Sequence, residues 1–148
     1  MIAGHGIDII EIPRIQKAME KSKKFTEKIF TIKEIEYCEA KKNKFQSYAV
    51  RFAAKESFLK AIGTGWAKGI AFTDIEILNN ESGEPHINLY NVAKEYFEKK
   101  AFKNILVSLS HTDSTAFASV IITNLPHPKG GEEGDSSESE LMSMVSNK

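Results

Sequence analysis

The stretch "RFAAKESFLKAIGTG", Arg51–Gly65, carries Lys55, Glu56 and Lys60 within a run of helical apolar spacing. Tyr48, Phe52, Leu59 and Ile62 mark the stripe such a helix would bury, and Glu56 falls on that stripe. An unpaired carboxylate facing a dry core is costly, so Glu56 needs a cation, a metal ion or a cleft. The simplest partner is Lys60, one turn later on the same face. A second carboxylate, Asp8, stands in "GHGIDII", where Gly4, Gly6 and Asp8 share one strand face. The two glycines leave the floor beside it open. Two carboxylates with water and phosphate oxygens suit Mg²⁺, a hard octahedral ion that dehydrates reluctantly. Lys55, Lys60 and the turn Gly63–Thr64–Gly65 then serve to neutralise and cradle phosphates.

A third cluster lies in "SLSHTDSTAFASV", Ser108–Val120. His111 ends a strand and enters a tight turn, flanked by Ser108, Ser110 and Thr112. Hydroxyls and an imidazole gathered there suit a phosphate, although a surface turn histidine has the same pattern. Strand alternation puts Ser108 and Ser110 on one face and Leu109 and His111 on the other. Neither a persuasive Ser-His-Asp arrangement nor Cys/His zinc spacing occurs.

These residues need elements to position them. Residues 2–10 read as a β-branched strand. Pro13 opens a helix over 13–22. "TIKE" (Thr31–Glu34) is a capping box for a helix over 32–42, with Ile32, Ile35 and Cys38 facing inward. A third helix covers 46–62, Gly63 suits its C′ position, and "GTGWAKG" reads as a flexible loop. Strands at 73–78 and 86–90 flank "NNESGEP", a helix covers 92–102, and strands at 105–110 and 115–122 flank "HTDS". This order predicts an α+β domain of mainly antiparallel strands packed with helices, over residues 1–124. Residues 125–148, rich in Ser, Gly and acids, read as a disordered tail.

At 148 residues and 41% hydrophobic, the chain supports one core. No apolar run spans a membrane, and the start lacks a signal-peptide pattern. The lone Cys38 excludes an internal disulfide and fits a reducing, cytoplasmic setting, where a small buried apolar role suits it. The net charge of +0 hides an asymmetry: Arg14–Lys60 holds 13 Lys and Arg against 6 Glu. That balance is either a solvated face or a docking surface for something acidic. Nucleic acid is a poor candidate, because interleaved aromatics are sparse and no reading motif occurs.

Together, "GIDIIEIPRI", "FTIKEIEYC", "RFAAKESFLKAIGTG", "DIEI…SGEPHINL" and "SLSHTDSTAFASVI" resemble the holo-(acyl-carrier-protein) synthases, the small bacterial 4′-phosphopantetheinyl transferases. The resemblance spans about residues 1–123, with Ser57 standing where alanine is common. It implies transfer of phosphopantetheine from coenzyme A to a serine of apo acyl carrier protein, with release of adenosine 3′,5′-bisphosphate, in fatty acid biosynthesis. It also implies a requirement for Mg²⁺ and a homotrimer with active sites between subunits. By matching positions, Asp8 and Glu56 ligate the metal, and Glu56, Lys60 and His111 are catalytic. Arg51, Lys55, Gly63, Thr64, Ser110 and His111 lie along coenzyme A. Arg14, Lys21 and Lys24 meet the acidic carrier protein. Two rivals share the carboxylates: a Mg²⁺-dependent hydrolase of the coenzyme A diphosphate, and a non-enzymatic binding module.

Overall fold

The computed structural model describes residues 1–65 and 69–125; Trp66–Lys68 of the predicted loop and the predicted tail from Pro126 lie outside the described residues. Strand β1 (Ile2–Glu11) leads into helices α1 (Ile12–Lys21), α2 (Lys23–Ile29), α3 (Ile32–Glu39) and α4 (Lys44–Ala61). A 3₁₀ turn (Phe72–Asp74) precedes the hairpin β2 (Ile75–Asn79) and β3 (Pro85–Leu89). Helix α5 (Asn91–Lys99) and the hairpin β4 (Asn104–His111) and β5 (Thr115–Thr123) complete the fold. β5 lies between β1 and β4 in an antiparallel sheet, with Asp8 opposite Ala118 and Ala118 opposite Leu109. The second sheet holds β2 and β3 alone. The α+β, antiparallel reading of the sequence holds.

Local chemistry explains most boundaries. Pro13 sits in the first turn of α1, where its missing N–H costs nothing. Thr31 caps α3, its hydroxyl accepting from the Glu34 N–H at 3.3 Å. Only half of the predicted capping box forms, because the Glu34 carboxylate turns inward instead. Gly63 ends α4 at φ 74, a left-handed conformation that favours glycine. α2 has no counterpart in the sequence reading. It is 7 residues long, follows extended Ser22, and carries too few turns to show a period.

α4 crosses one face of the β1–β5–β4 sheet and is buried along almost its whole length, from Tyr48 to Ala61. Small residues help: Ala53, Ala54, Ser57 and Ala61 are all buried along it. The closest approach is at β1. A Cβ on Gly6 would lie 2.0 Å from the Ser57 carbonyl oxygen, and one on Gly4 would lie 2.1 Å from that of Ala61. The glycines therefore admit a helix rather than leaving an open floor, which corrects the sequence expectation. Ile32, expected to face inward, is 76% exposed, while Cys38 is fully buried with its thiol donating to the Ser47 hydroxyl at 3.3 Å. The opposite face of the sheet is bare: Ile7, Ile9, Leu106 and Phe117 are exposed there, Ile9 at 67%.

Candidate active site

β1 aims Asp8 toward α4, on the same face as Gly4 and Gly6. The glycine contact brings the α4 backbone so near that Lys60 reaches the Asp8 carboxylate, with Glu56 one helical turn before Lys60. Lys60 Nζ donates to Asp8 Oδ1 at 2.9 Å and to the Ile7 carbonyl oxygen at 3.0 Å. Lys60 thus pairs with Asp8 and not with Glu56, the partner that helical spacing suggests. Glu56 is half-buried, and its carboxyl is raised above the ordinary range, first by desolvation and then by the negative charge of Asp8. Lys60 offsets this only in part.

The three side chains carry one net negative charge between them. Among the described residues no group of three or more His, Cys, Asp or Glu could hold a metal ion. Two hard oxygen ligands with room for water and substrate oxygens nevertheless fit Mg²⁺, which seldom takes an all-protein cage. The Lys60 ammonium, seated on Asp8 Oδ1 and a backbone carbonyl, shows that a cation is favoured at this spot.

Lys55 does not join this site. Its side chain is fully buried, and its ammonium donates to Glu34 Oε1 at 2.8 Å, the Ile29 carbonyl at 2.7 Å and the Phe72 carbonyl at 3.0 Å. Burial pushes the Glu34 carboxyl up and the Lys55 ammonium down, each partner opposing the shift of the other. Three acceptors use all three ammonium protons, so the expected contact of Lys55 with coenzyme A is corrected: it ties α4 to α2, α3 and the 3₁₀ turn. Gly63 and Thr64 follow directly on α4. Their N–H groups close α4, bonding to the Lys60 and Leu59 carbonyls at 3.1 and 3.3 Å.

Arg51 and His111 meet elsewhere, lining a cavity of about 380 Å³ with Tyr37, Lys41, Lys42 and Asn79. Arg51 is buried, bonded to Ile77 O, Ser47 and Asn79 Oδ1, and stacked 4.1 Å from the Tyr37 ring centroid. His111 Nδ1 lies 3.1 Å from the Thr112 carbonyl oxygen, which can only accept, so that nitrogen carries a proton. Ser110 is exposed on the other face of β4 and does not line this cavity, as alternation predicts. Lys41 and Lys42 are cavity cations that the reading of single motifs missed; the charge run "KKNK" was their signal. Asp8 and His111 stand on opposite edge strands, with β5 between them, so the strands are about 10 Å apart. One chain therefore presents two separate charged clusters. A larger, more apolar cavity of about 560 Å³ between α1, α2, α3 and α4 has Glu20, Glu27, Glu36 and Glu39 on its walls and is ill suited to phosphates. Arg14 and Lys21 on α1 and Lys24 on α2 are exposed and make no ion pair among the described residues. Lys17 shares the α1 face with Arg14 and Lys21.

Comparison with known proteins bears on this geometry. Residues 4–120 match the family model of the 4′-phosphopantetheinyl transferase superfamily. The chain is 47% identical over 125 residues to the holo-[acyl-carrier-protein] synthase of Solibacter usitatus, covering 84% of this chain and 100% of that relative. It is 50% identical over 120 residues to that of Ruminiclostridium cellulolyticum, covering 80% and 90%. Among solved structures, it resembles holo-[acyl-carrier-protein] synthase from Neisseria meningitidis with a TM-score of 0.78, 30% identity, and coverage of 83% of this chain and 99% of that one. It also resembles the enzyme of Bacillus anthracis in complex with CoA (3′,5′-ADP), with a TM-score of 0.69, 36% identity, and coverage of 82% and 96%.

Proposed function

The chain belongs to the 4′-phosphopantetheinyl transferase superfamily, and from that premise we infer that it is a holo-(acyl-carrier-protein) synthase. It moves the 4′-phosphopantetheine arm of coenzyme A onto a serine of apo acyl carrier protein. The serine Oγ–P bond forms, the P–O bond to the 3′,5′-bisphosphate nucleotide breaks, and adenosine 3′,5′-bisphosphate leaves. The observation that carries this reading is the Lys60–Asp8 contact at 2.9 Å, with Glu56 one helical turn before Lys60 and under the charge of Asp8.

Displacement at phosphorus depends on alignment and charge neutralisation more than on covalent help. Asp8 and Glu56 would hold Mg²⁺, which supplies Lewis-acid polarisation of the diphosphate. Lys60 brings an ammonium beside the reacting phosphate, half-exposed and on a flexible stem. Glu56, its carboxyl raised by burial and by the charge of Asp8, takes the proton of the serine. The cationic cavity of Lys41, Lys42 and Arg51, with His111 on its wall, suits the phosphorylated nucleotide end of coenzyme A. The unpaired basic face of α1 suits the acidic carrier protein.

The protein works as a homotrimer in this reading. Ile7, Ile9, Leu106 and Phe117 form a bare apolar sheet face of the kind that marks an interface. Packing copies there would take those side chains out of water. Among the described residues no helix is long and apolar enough to cross a membrane, and we place the activity in the cytoplasm, in support of fatty acid biosynthesis. The test is mass spectrometry of apo acyl carrier protein incubated with the full chain, coenzyme A and Mg²⁺. A phosphopantetheine-sized gain, absent when the metal is chelated, is expected. Cleaved coenzyme A with an unchanged carrier mass would identify a diphosphate hydrolase instead.

A further inference from the structure

The same Lys60 ammonium that would serve the reaction sits on the oxygens a divalent ion would use. Its Nζ holds Asp8 Oδ1 at 2.9 Å and the Ile7 carbonyl at 3.0 Å. A dication on the Asp8 carboxylate and an ammonium on the same group repel each other at short range. We propose that Lys60 is a displaceable stand-in for the metal, so that the ion enters only as the ammonium swings away, and the diphosphate of the substrate supplies its new partner.

The geometry separates this lysine from its neighbour on the helix. Lys55 is locked by three acceptors at zero exposure and cannot move without unpacking the core. Lys60 is 52% exposed beside an Asp8 side chain that is 17% exposed. An ion pair so open to water is weak, and a four-carbon stem can re-aim its head without disturbing backbone. Before displacement, one ammonium leaves the two carboxylates one charge short of neutrality. After it, the dication neutralises both carboxylates, and the freed ammonium meets the diphosphate oxygens. The metal and coenzyme A are then coupled: each binds better when the other is present, by the same factor. Free enzyme holds the metal poorly, which keeps Asp8 paired until substrate arrives.

This inference rests on the proposed metal site, and the experiment separates the two. Mn²⁺ binding is measured by electron paramagnetic resonance on the full-length protein, with and without coenzyme A, for wild type, Lys60→Met, Lys60→Arg and Asp8→Asn. Removing one positive charge beside a dication in a half-exposed site is expected to tighten Mn²⁺ binding to the free protein about tenfold. The gain from adding coenzyme A should shrink in Lys60→Met, while Lys60→Arg, which keeps the charge, behaves as wild type. Equal free-state affinity and equal coupling in wild type and Lys60→Met would overturn the displacement and leave the metal site standing. Wild-type Mn²⁺ binding in Asp8→Asn, or none in any protein, would overturn both.

Discussion

Lys55→Met gives the sharpest test of how this fold is held together. In the wild type the ammonium touches Glu34 Oε1 at 2.8 Å and two backbone carbonyls, all out of water. Methionine keeps the stem volume but leaves the Glu34 carboxylate buried without its cation, and Glu34 Oε2 already has no partner. Breaking a buried pair from one side costs about 3–5 kcal/mol, a large share of a stability of about 5–15 kcal/mol. At this chain length that corresponds to roughly a 10 °C drop in Tm, read at fixed protein concentration. Burial raises the Glu34 carboxyl, and losing Lys55 removes the charge that opposes this. The folded variant then binds a proton that the unfolded chain releases above its ordinary pKa of 4.5, so its stability falls as pH rises. The deficit should be smaller at about pH 5 than at about pH 8. The double variant Glu34→Leu/Lys55→Met removes the stranded charge and should recover part of the loss, the remainder being the bonds to the Ile29 and Phe72 carbonyls and from the Ile77 N–H. Urea denaturation across that pH range, with KM for coenzyme A on the folded protein, is the assay. Wild-type stability with a raised KM for coenzyme A would refute the buttress and return Lys55 to the phosphates.

Glu56→Gln should keep the fold but lose metal-dependent transfer. Glu56 is raised in the folded state, so its contribution to stability is lost as pH rises above the ordinary carboxyl value; the metal-free melting midpoint of the variant near neutral pH should match or exceed wild type. For the same reason, turnover of the wild type should fall on acidification as Glu56 takes up a proton, checked by a pH–rate profile against the Gln variant. Gly6→Ala puts a methyl 2.0 Å from the Ser57 carbonyl, a backbone atom that cannot step aside, and should cost about 1–3 kcal/mol or more while moving Asp8 away from Glu56. Denaturation midpoint and Mn²⁺ affinity, both lowered, would show it. Phe117→Glu places a charge on the bare sheet face; light scattering should report a monomer mass and the transfer assay little activity. Arg14→Glu should raise KM for the carrier protein and flatten its salt dependence, with KM for coenzyme A unchanged.

The sequence by itself determined the order of elements and the residue types available for chemistry. Period-two and helical apolar spacing placed β1, α1, α3, α4, α5 and both hairpins within a few residues, because those patterns follow from which face must leave water. It also singled out Asp8, Glu56 and Lys60, since charges on a burying stripe stand out against their surroundings. It did not separate Lys55 from Lys60. Both are lysines on one helix; only the packing of α2, α3 and the 3₁₀ turn around α4 made one a buried strut and left the other half in water. Nor did it reveal why Gly4 and Gly6 are glycines, for that depends on a helix crossing a strand more than 50 residues away in the chain. Which cation sits beside which carboxylate is fixed by distances of about 3 Å between segments that local spacing cannot relate, so tertiary packing alone paired Lys60 with Asp8 and not with Glu56.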